Sequence, residues 1–310
     1  MSACYSCHAI LNKKNQSFEH IIPNAIGGVL KSARLICKAC NSAYGMTIDA
    51  ALTKDFEHLA ARHNIGRDRP KSRMIQNTIA SNADLYHLQD GQIPPPAKPM
   101  IRLDKDQLYI SGPDKKQLMQ IASGLKSKFP NIDLDNIEKN WESVDELPGS
   151  ELTINFSVGS DLFMRSVAKI AVNYYLMKVR GRHYLDKIIN IINGVDVNQH
   201  HIRYYPLRDD IWDHEELSHL ISIKGNSASG KLQAHVILFN TYSLVINLCD
   251  DYDGGDIDFF YRYELLRRQE IKDRIDLDNN RNEFRTNDQT EKIKRSLSRN
   301  KQEGVSGEDQ

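Results

Sequence analysis

The chain has 310 residues, 40% of them hydrophobic, with 41 Lys and Arg against 41 Asp and Glu and a formal net charge of zero. That apolar fraction excludes global disorder, the length fits about two domains of roughly 100–200 residues, and no apolar run reaches the ~18 residues of a bilayer span. The first residues show no basic segment leading into an apolar one, so no secretory signal or membrane association is expected, and the reading is a soluble, cytoplasmic protein.

The zero charge argues against a nucleic-acid partner only until it is divided along the chain. Residues 1–75 hold 11 basic and 5 acidic side chains, net +6. Residues 76–266 hold 19 and 26, net −7, residues 267–301 are net +4 and residues 302–310 net −3. A basic head, an acidic middle and a basic tail cancel.

Four of the five cysteines form two pairs, Cys4-Tyr5-Ser6-Cys7 and Cys37-Lys38-Ala39-Cys40. Paired Cys-x-x-Cys units supply the four thiolates of one tetrahedral Zn²⁺, and the expected reducing compartment disfavours disulfides. The 29 residues between the pairs exceed the roughly 15–20 of a simple zinc ribbon, so the insert must hold something else. Cys249 lies in an alternating apolar run and reads as a core thiol.

Within the insert, Phe18, His20 and Ile22 alternate with Glu19 and Ile21, which predicts a short strand ended by Pro23, with Gly27 and Gly28 turning the chain. Ala33–Ile36 predicts a second strand. A short helix carrying Asn41 follows Cys40, with Gly45 as its C′ residue. In a continuous strand Glu19 and His20 would point to opposite faces, so they converge only if the strand ends or bulges there.

Glu19-His20-Ile-x-Pro, then Gly27-Gly28, then Cys37-x-x-Cys40-Asn41 resembles the HNH endonuclease family, in its four-cysteine branch with a ββα-metal fold. The resemblance covers about residues 1–75, and Arg67-Asp68-Arg69-Pro70 also resembles stand-alone bacterial proteins of this kind. It implies a metal-dependent endonuclease that hydrolyses phosphodiester bonds in DNA, with RNA left open. Glu19 and Asn41 would hold Mg²⁺ or Mn²⁺, His20 would activate water, and zinc would be structural. The setting implied is bacterial restriction or anti-phage defence. The residue types suit the chemistry: imidazole titrates near neutrality, and a carboxylate and an amide oxygen are hard ligands. Two departures stand out. Glu19 replaces the Asp of many members, and the family's last His is missing, with Asn41 in the position that serves instead in one branch. The alternative is a non-catalytic zinc module that binds nucleic acid.

Asn24 follows the proline and reads mainly as a turn amide, with phosphate contact or orientation of His20 as the functional alternatives. Asp49 lies eight residues past Asn41, about 12 Å along a straight helix, and reads mainly as a helix-start carboxylate. Lys31, Arg34, Lys38, Arg67 and Arg69 are candidates for phosphate contact.

The remainder reads as an α+β module over 76–266. Residues 48–63 predict an amphipathic helix and 64–82 a polar linker. Pro94-Pro95-Pro96 marks a loop, residues 100–110 a hairpin, 115–128 a helix, 152–156 a strand and 161–179 the longest helix, apolar on one face. Residues 220–248 predict an antiparallel meander. Gly225–Lys231 reads as a hairpin loop rather than a phosphate loop. The aspartates around Gly254-Gly255 read as an acidic turn, and His200-His201 with Asp209-Asp210 as solvated pairs. Residues 267–310 predict a charged, helical or disordered tail. Target choice, ligand control and homodimerisation are the roles open to the module.

Overall fold

The computed structural model describes residues 2–68, 74–79, 85–89, 100–104, 107–111, 115–130, 132–140, 152–153, 159–196, 201–205, 207, 211–212 and 216–278. Helices and strands are mixed, and among the described residues every strand pairing is antiparallel. By contacts the chain forms two units. One comprises Asn15–Ala33 with Cys37–Phe163, the other Met1–Lys14, Arg34–Ile36 and Met164–Gln310. No helix among the described residues is long and apolar enough to cross a membrane.

The first of these units opens on β1 (Glu19–His20), which pairs with β2 (Lys31–Ser32), Glu19 opposite Ser32 and His20 opposite Lys31. Both strands are shorter than the alternation predicts, and the second is Lys31–Ser32 rather than Ala33–Ile36. The reason lies between them. Pro23 lacks an N–H and starts a 3-10 turn, Asn24–Ile26, which closes at Gly27 with φ of +98°. At Gly28 an added Cβ would sit 1.9 Å from the Ile22 carbonyl oxygen, so only glycine lets the chain fold back this tightly.

Helix α1 (Lys38–Met46) starts directly after Cys37 and runs through Cys40, Asn41 and Gly45. Gly45 is therefore inside the helix and not its C′ residue. The break falls at Thr47 (φ −117°, ψ −90°), and α2 (Ile48–Arg62) begins at once. Ile48, Leu52, Phe56 and Ala60 form its buried stripe. Asn64, at φ of +47°, ends it in a Schellman turn, with Ile65 N–H donating to Ala60 O and Asn64 N–H to Ala61 O. Buried Ile65 anchors the exit and Gly66–Asp68 follow.

The predicted linker contains a strand, β3 (Met74–Ile79), which lies between β4 (Leu85–Gln89) and β7 (Leu152–Thr153). The expected hairpin is β5 (Met100–Asp104) with β6 (Gln107–Ser111). Helices α3 (Lys115–Leu125) and α4 (Leu134–Asn140) follow. The proline run at 94–96, His200, Asp209, Asp210 and the tail beyond Asp278 lie outside the described residues.

In the other unit, the meander extends to a six-stranded sheet in the order β13-β12-β9-β10-β11-β8. These are β8 (Ile202–Tyr204), β9 (Ser218–Asn226), β10 (Lys231–Leu238), β11 (Tyr242–Cys249), β12 (Ile257–Glu264) and β13 (Gln269–Glu270). Gly225–Lys231 spans the β9–β10 hairpin turn, as expected. Helix α5 (Asp161–Lys178) is buried on all sides from Ser166 to Tyr175, including Lys169 and Asn173, rather than on one face. A helix buried all round belongs to a core, not a surface. Helix α6 (Asp186–Ile192) follows it. The acidic turn separates its carboxylates. Asp253 accepts from Tyr184 Oη (2.6 Å), Asp256 from Ser227 N–H (3.0 Å) and Asp258 from Arg274 (2.7 Å). Residues 269–278, read as the start of the tail, are joined to this sheet by pairing and packing. β13 pairs with β12, and Leu277 packs with Leu207, Leu220 and Ile237.

Two outcomes follow. Gly28→Ala destabilises the protein by about 2 kcal/mol or more in denaturant unfolding, whereas Asn64→Gly is tolerated. His58 is buried on α2, and burial pushes its pKa below 6.5. Unfolding then takes up a proton, so this contribution is complete above about pH 6.5 and is lost as pH falls below it. His58→Gln flattens that part of the stability–pH curve.

Candidate active site and metal centre

The ligand atoms of Cys4, Cys7, Cys37 and Cys40 all lie within 4.8 Å of one another, and none of the five cysteines is in a disulfide. Zn–S bonds of about 2.3 Å in a tetrahedron separate the sulfurs by about 3.8 Å, so the set fits a structural zinc. It is the one such group among the described residues. The first pair sits in a tight reversal. Cys4 N–H donates to Ala9 O, His8 N–H donates to Cys4 O, and His8 itself takes a φ of +63°. The second pair sits at the start of α1, where Cys37 is the N-cap residue. The positive end of the helix favours thiolate charge there. Cys249 is apart from the group, on β11.

Glu19, His20, Asn24, Asn41 and Asp49 line one solvent-open cavity of about 420 Å³. The two-residue strand explains how Glu19 and His20 both reach it: β1 ends at His20, so the alternation of a longer ladder does not apply. Glu19 is buried, 4% exposed, while His20 keeps 24% of its side chain open. Asn41 donates Nδ2–H to Ser17 Oγ at 2.7 Å, which commits the amide nitrogen and leaves its Oδ1 as the atom able to take a cation. Asp49 lies in the first turn of α2, as read, yet shares the cavity with Asn41 because the chain breaks at Thr47. Asn24 binds backbone at both ends of its amide. Nδ2–H donates to Gly28 O (3.1 Å) and Oδ1 accepts from Asp68 N–H (2.9 Å).

Among the cationic candidates, Lys31 is exposed on β2 opposite His20, Arg34 is exposed before the second cysteine pair and Lys38 is exposed at the start of α1. Arg67 is half-buried, and Arg69 lies outside the described residues. Sequence reasoning assigned no role to Ser17, Glu57 or Asp68. Glu57 lines the cavity with Asp49 and Thr53, a spacing of four along α2 that places them on one face. Asp68 carries Oδ2 at 3.3 Å from His20 Nε2 and 3.6 Å from Lys31 Nζ. Partial desolvation works to raise its pKa, but the Lys31 ammonium and the His20 ring together hold the carboxyl below its usual range.

The cluster makes a direct expectation. Purified protein carries one zinc per chain by elemental analysis, and Cys37→Ser loses most of it and unfolds at lower temperature, since structural zinc binding is also folding energy.

No curated protein and no solved structure matches the chain. A family model described as HNH endonuclease matches residues 4–57 and points to a nucleic-acid substrate. The matched segment, under a fifth of the chain, holds all four clustered cysteines, Glu19, His20 and Asn41, and it is this segment that is similar to the HNH endonuclease family.

Proposed function

We propose that the protein is a metal-dependent endonuclease of the HNH type, acting on DNA in a bacterial restriction or anti-phage setting, with β1, β2 and α1 as its ββα-metal unit. The observation that carries this reading is the convergence of Glu19, His20 and Asn41 on one open cavity, although 20 residues lie between His20 and Asn41 in sequence.

The donor set fits a hard cation, with the Glu19 carboxylate and the Asn41 carbonyl oxygen as its ligands and room in the cavity for water. Mg²⁺ or Mn²⁺ bound there supplies charge neutralisation at the scissile phosphate and the leaving oxygen. His20 takes the proton from a water as the water oxygen bonds to phosphorus. The ester oxygen departs and is protonated from solvent, and His20 returns its proton to solvent. Lys31, Arg34, Lys38, Arg67 and Arg69 are the proposed phosphate contacts, sensitive to salt and indifferent to sequence. Residues 1–75 form the nuclease head in this reading. Residues 76–266 serve target choice, ligand control or homodimerisation, with 267–278 joined to that module and 279–310 as a charged tail.

Plasmid DNA incubated with the protein and Mg²⁺ or Mn²⁺ is cut, chelation stops the cutting, and His20→Ala slows it by about 10²–10⁴-fold. Equal cutting by wild type and His20→Ala would sink the reading. Salt-sensitive binding without cutting, unaffected by His20→Ala, would identify a non-catalytic nucleic-acid-binding module instead.

A further inference from the structure

Asp68 lies beyond the segment that matches the HNH family model, yet its carboxylate faces the ring proposed as the general base. The loop that carries it is held from two sides. Upstream, the Schellman turn at Asn64 and buried Ile65 fix how the chain leaves α2. At Asp68 itself, the backbone N–H donates to Asn24 Oδ1, while the same Asn24 amide donates to Gly28 O. One side chain therefore ties the loop after α2 to the loop after β1. The Asp68 side chain is left to Oδ2, which faces Nε2 of His20 and Nζ of Lys31.

We propose that Asp68 is a positioning residue for His20: its carboxylate holds the ring in the Nε2–H tautomer and leaves Nδ1 as the nitrogen that accepts the proton of water. This rests on the nuclease reading for its consequence, but not for its geometry. An ionised carboxylate only accepts, so it favours hydrogen on the ring nitrogen that faces it. A neutral imidazole then has its lone pair on the other nitrogen. At 3.3 Å the pair makes an ion-pair contact whose geometry falls short of a hydrogen bond, and such contacts commonly tighten only in the substrate complex. When His20 takes up a proton, the same carboxylate stabilises the imidazolium. Lys31, the other group on Oδ2, keeps Asp68 ionised and does not compete for the ring.

The brace uses the backbone of Asp68, so Asp68→Ala keeps it, and Asp68→Glu restores the charge at a changed reach. The first readout needs no activity. In the full zinc-loaded chain at about pH 8, where an ordinary His is neutral, nitrogen-15 spectra of the imidazoles report the tautomer, with His20 assigned by comparison with His20→Gln. Wild type shows His20 as Nε2–H, and Asp68→Ala shifts it toward a mixture. An Nδ1–H ring in wild type, or a spectrum unchanged in Asp68→Ala, overturns the proposal. The second readout is plasmid cleavage. Asp68→Ala lowers kcat by about 10–100-fold at unchanged KM, the scale for removal of a partner that orients a working His, and Asp68→Glu recovers part of it. Full activity in Asp68→Ala beside a dead His20→Ala overturns the role of Asp68 and leaves the nuclease reading standing. Activity above wild type overturns it too, because Asp68 would then be an inhibitory contact. If wild type itself cuts nothing, the nuclease reading falls and the spectrum alone decides Asp68.

Discussion

Four cysteine ligand atoms within 4.8 Å of one another are the constraint on which the N-terminal region depends. Four thiolates that close repel strongly unless a divalent cation sits among them, and a bound zinc turns that repulsion into a fixed point of the chain. The 29 residues between Cys7 and Cys37 begin and end at that point. They contain only two two-residue strands and one 3-10 turn, too little regular structure to hold a shape unaided. The energy for precision in Glu19 and His20 must come from outside their own ladder.

Three local devices finish what the cluster begins. Gly28 lets the backbone pass against the Ile22 carbonyl, so the turn after β1 closes. The break at Thr47 folds α2 back after α1, which brings Asp49 to the cavity that Asn41 lines. The Asn24 amide joins the β1 turn to the loop after α2. Each uses backbone geometry or a backbone hydrogen bond, which side-chain exchange elsewhere disturbs little.

The cysteine cluster was legible because metal ligation demands particular residue types at particular spacings, and Glu19, His20 and Asn41, singled out by the resemblance, line one cavity. The helix over 48–62 and the meander were legible from periodicity. What escaped depended on tertiary context. Gly45 looked like a helix stop, but its backbone stays helical and the break comes at Thr47, whose φ and ψ no local rule announces. One apolar face was visible in α5, yet buried Ser166, Lys169 and Asn173 close the rest of its circumference. Charge made 267–278 look like tail, although Leu277, one apolar residue among acids, is 3% exposed. Asp68 was part of a noted motif, but nothing in a sequence says that a residue 48 positions on will face His20.

The same arrangement clarifies the neutral total charge. Glu19, Asp49 and Glu57 line the cavity against Lys54 and the His20 ring, with Asp68 beside that ring. Such a surface repels a phosphate on its own. The basic excess of the head is carried by exposed residues, Lys31, Arg34 and Lys38 among them. Phosphate attraction and cation attraction are therefore divided between the outside of the head and the cavity. A divalent cation that enters the cavity largely cancels its field, and only then does the cavity cease to oppose the basic surface around it. A polyanion engaged by this head would meet the surface first and the cavity second, and its hold on the cavity would depend on the metal far more steeply than its hold on the surface.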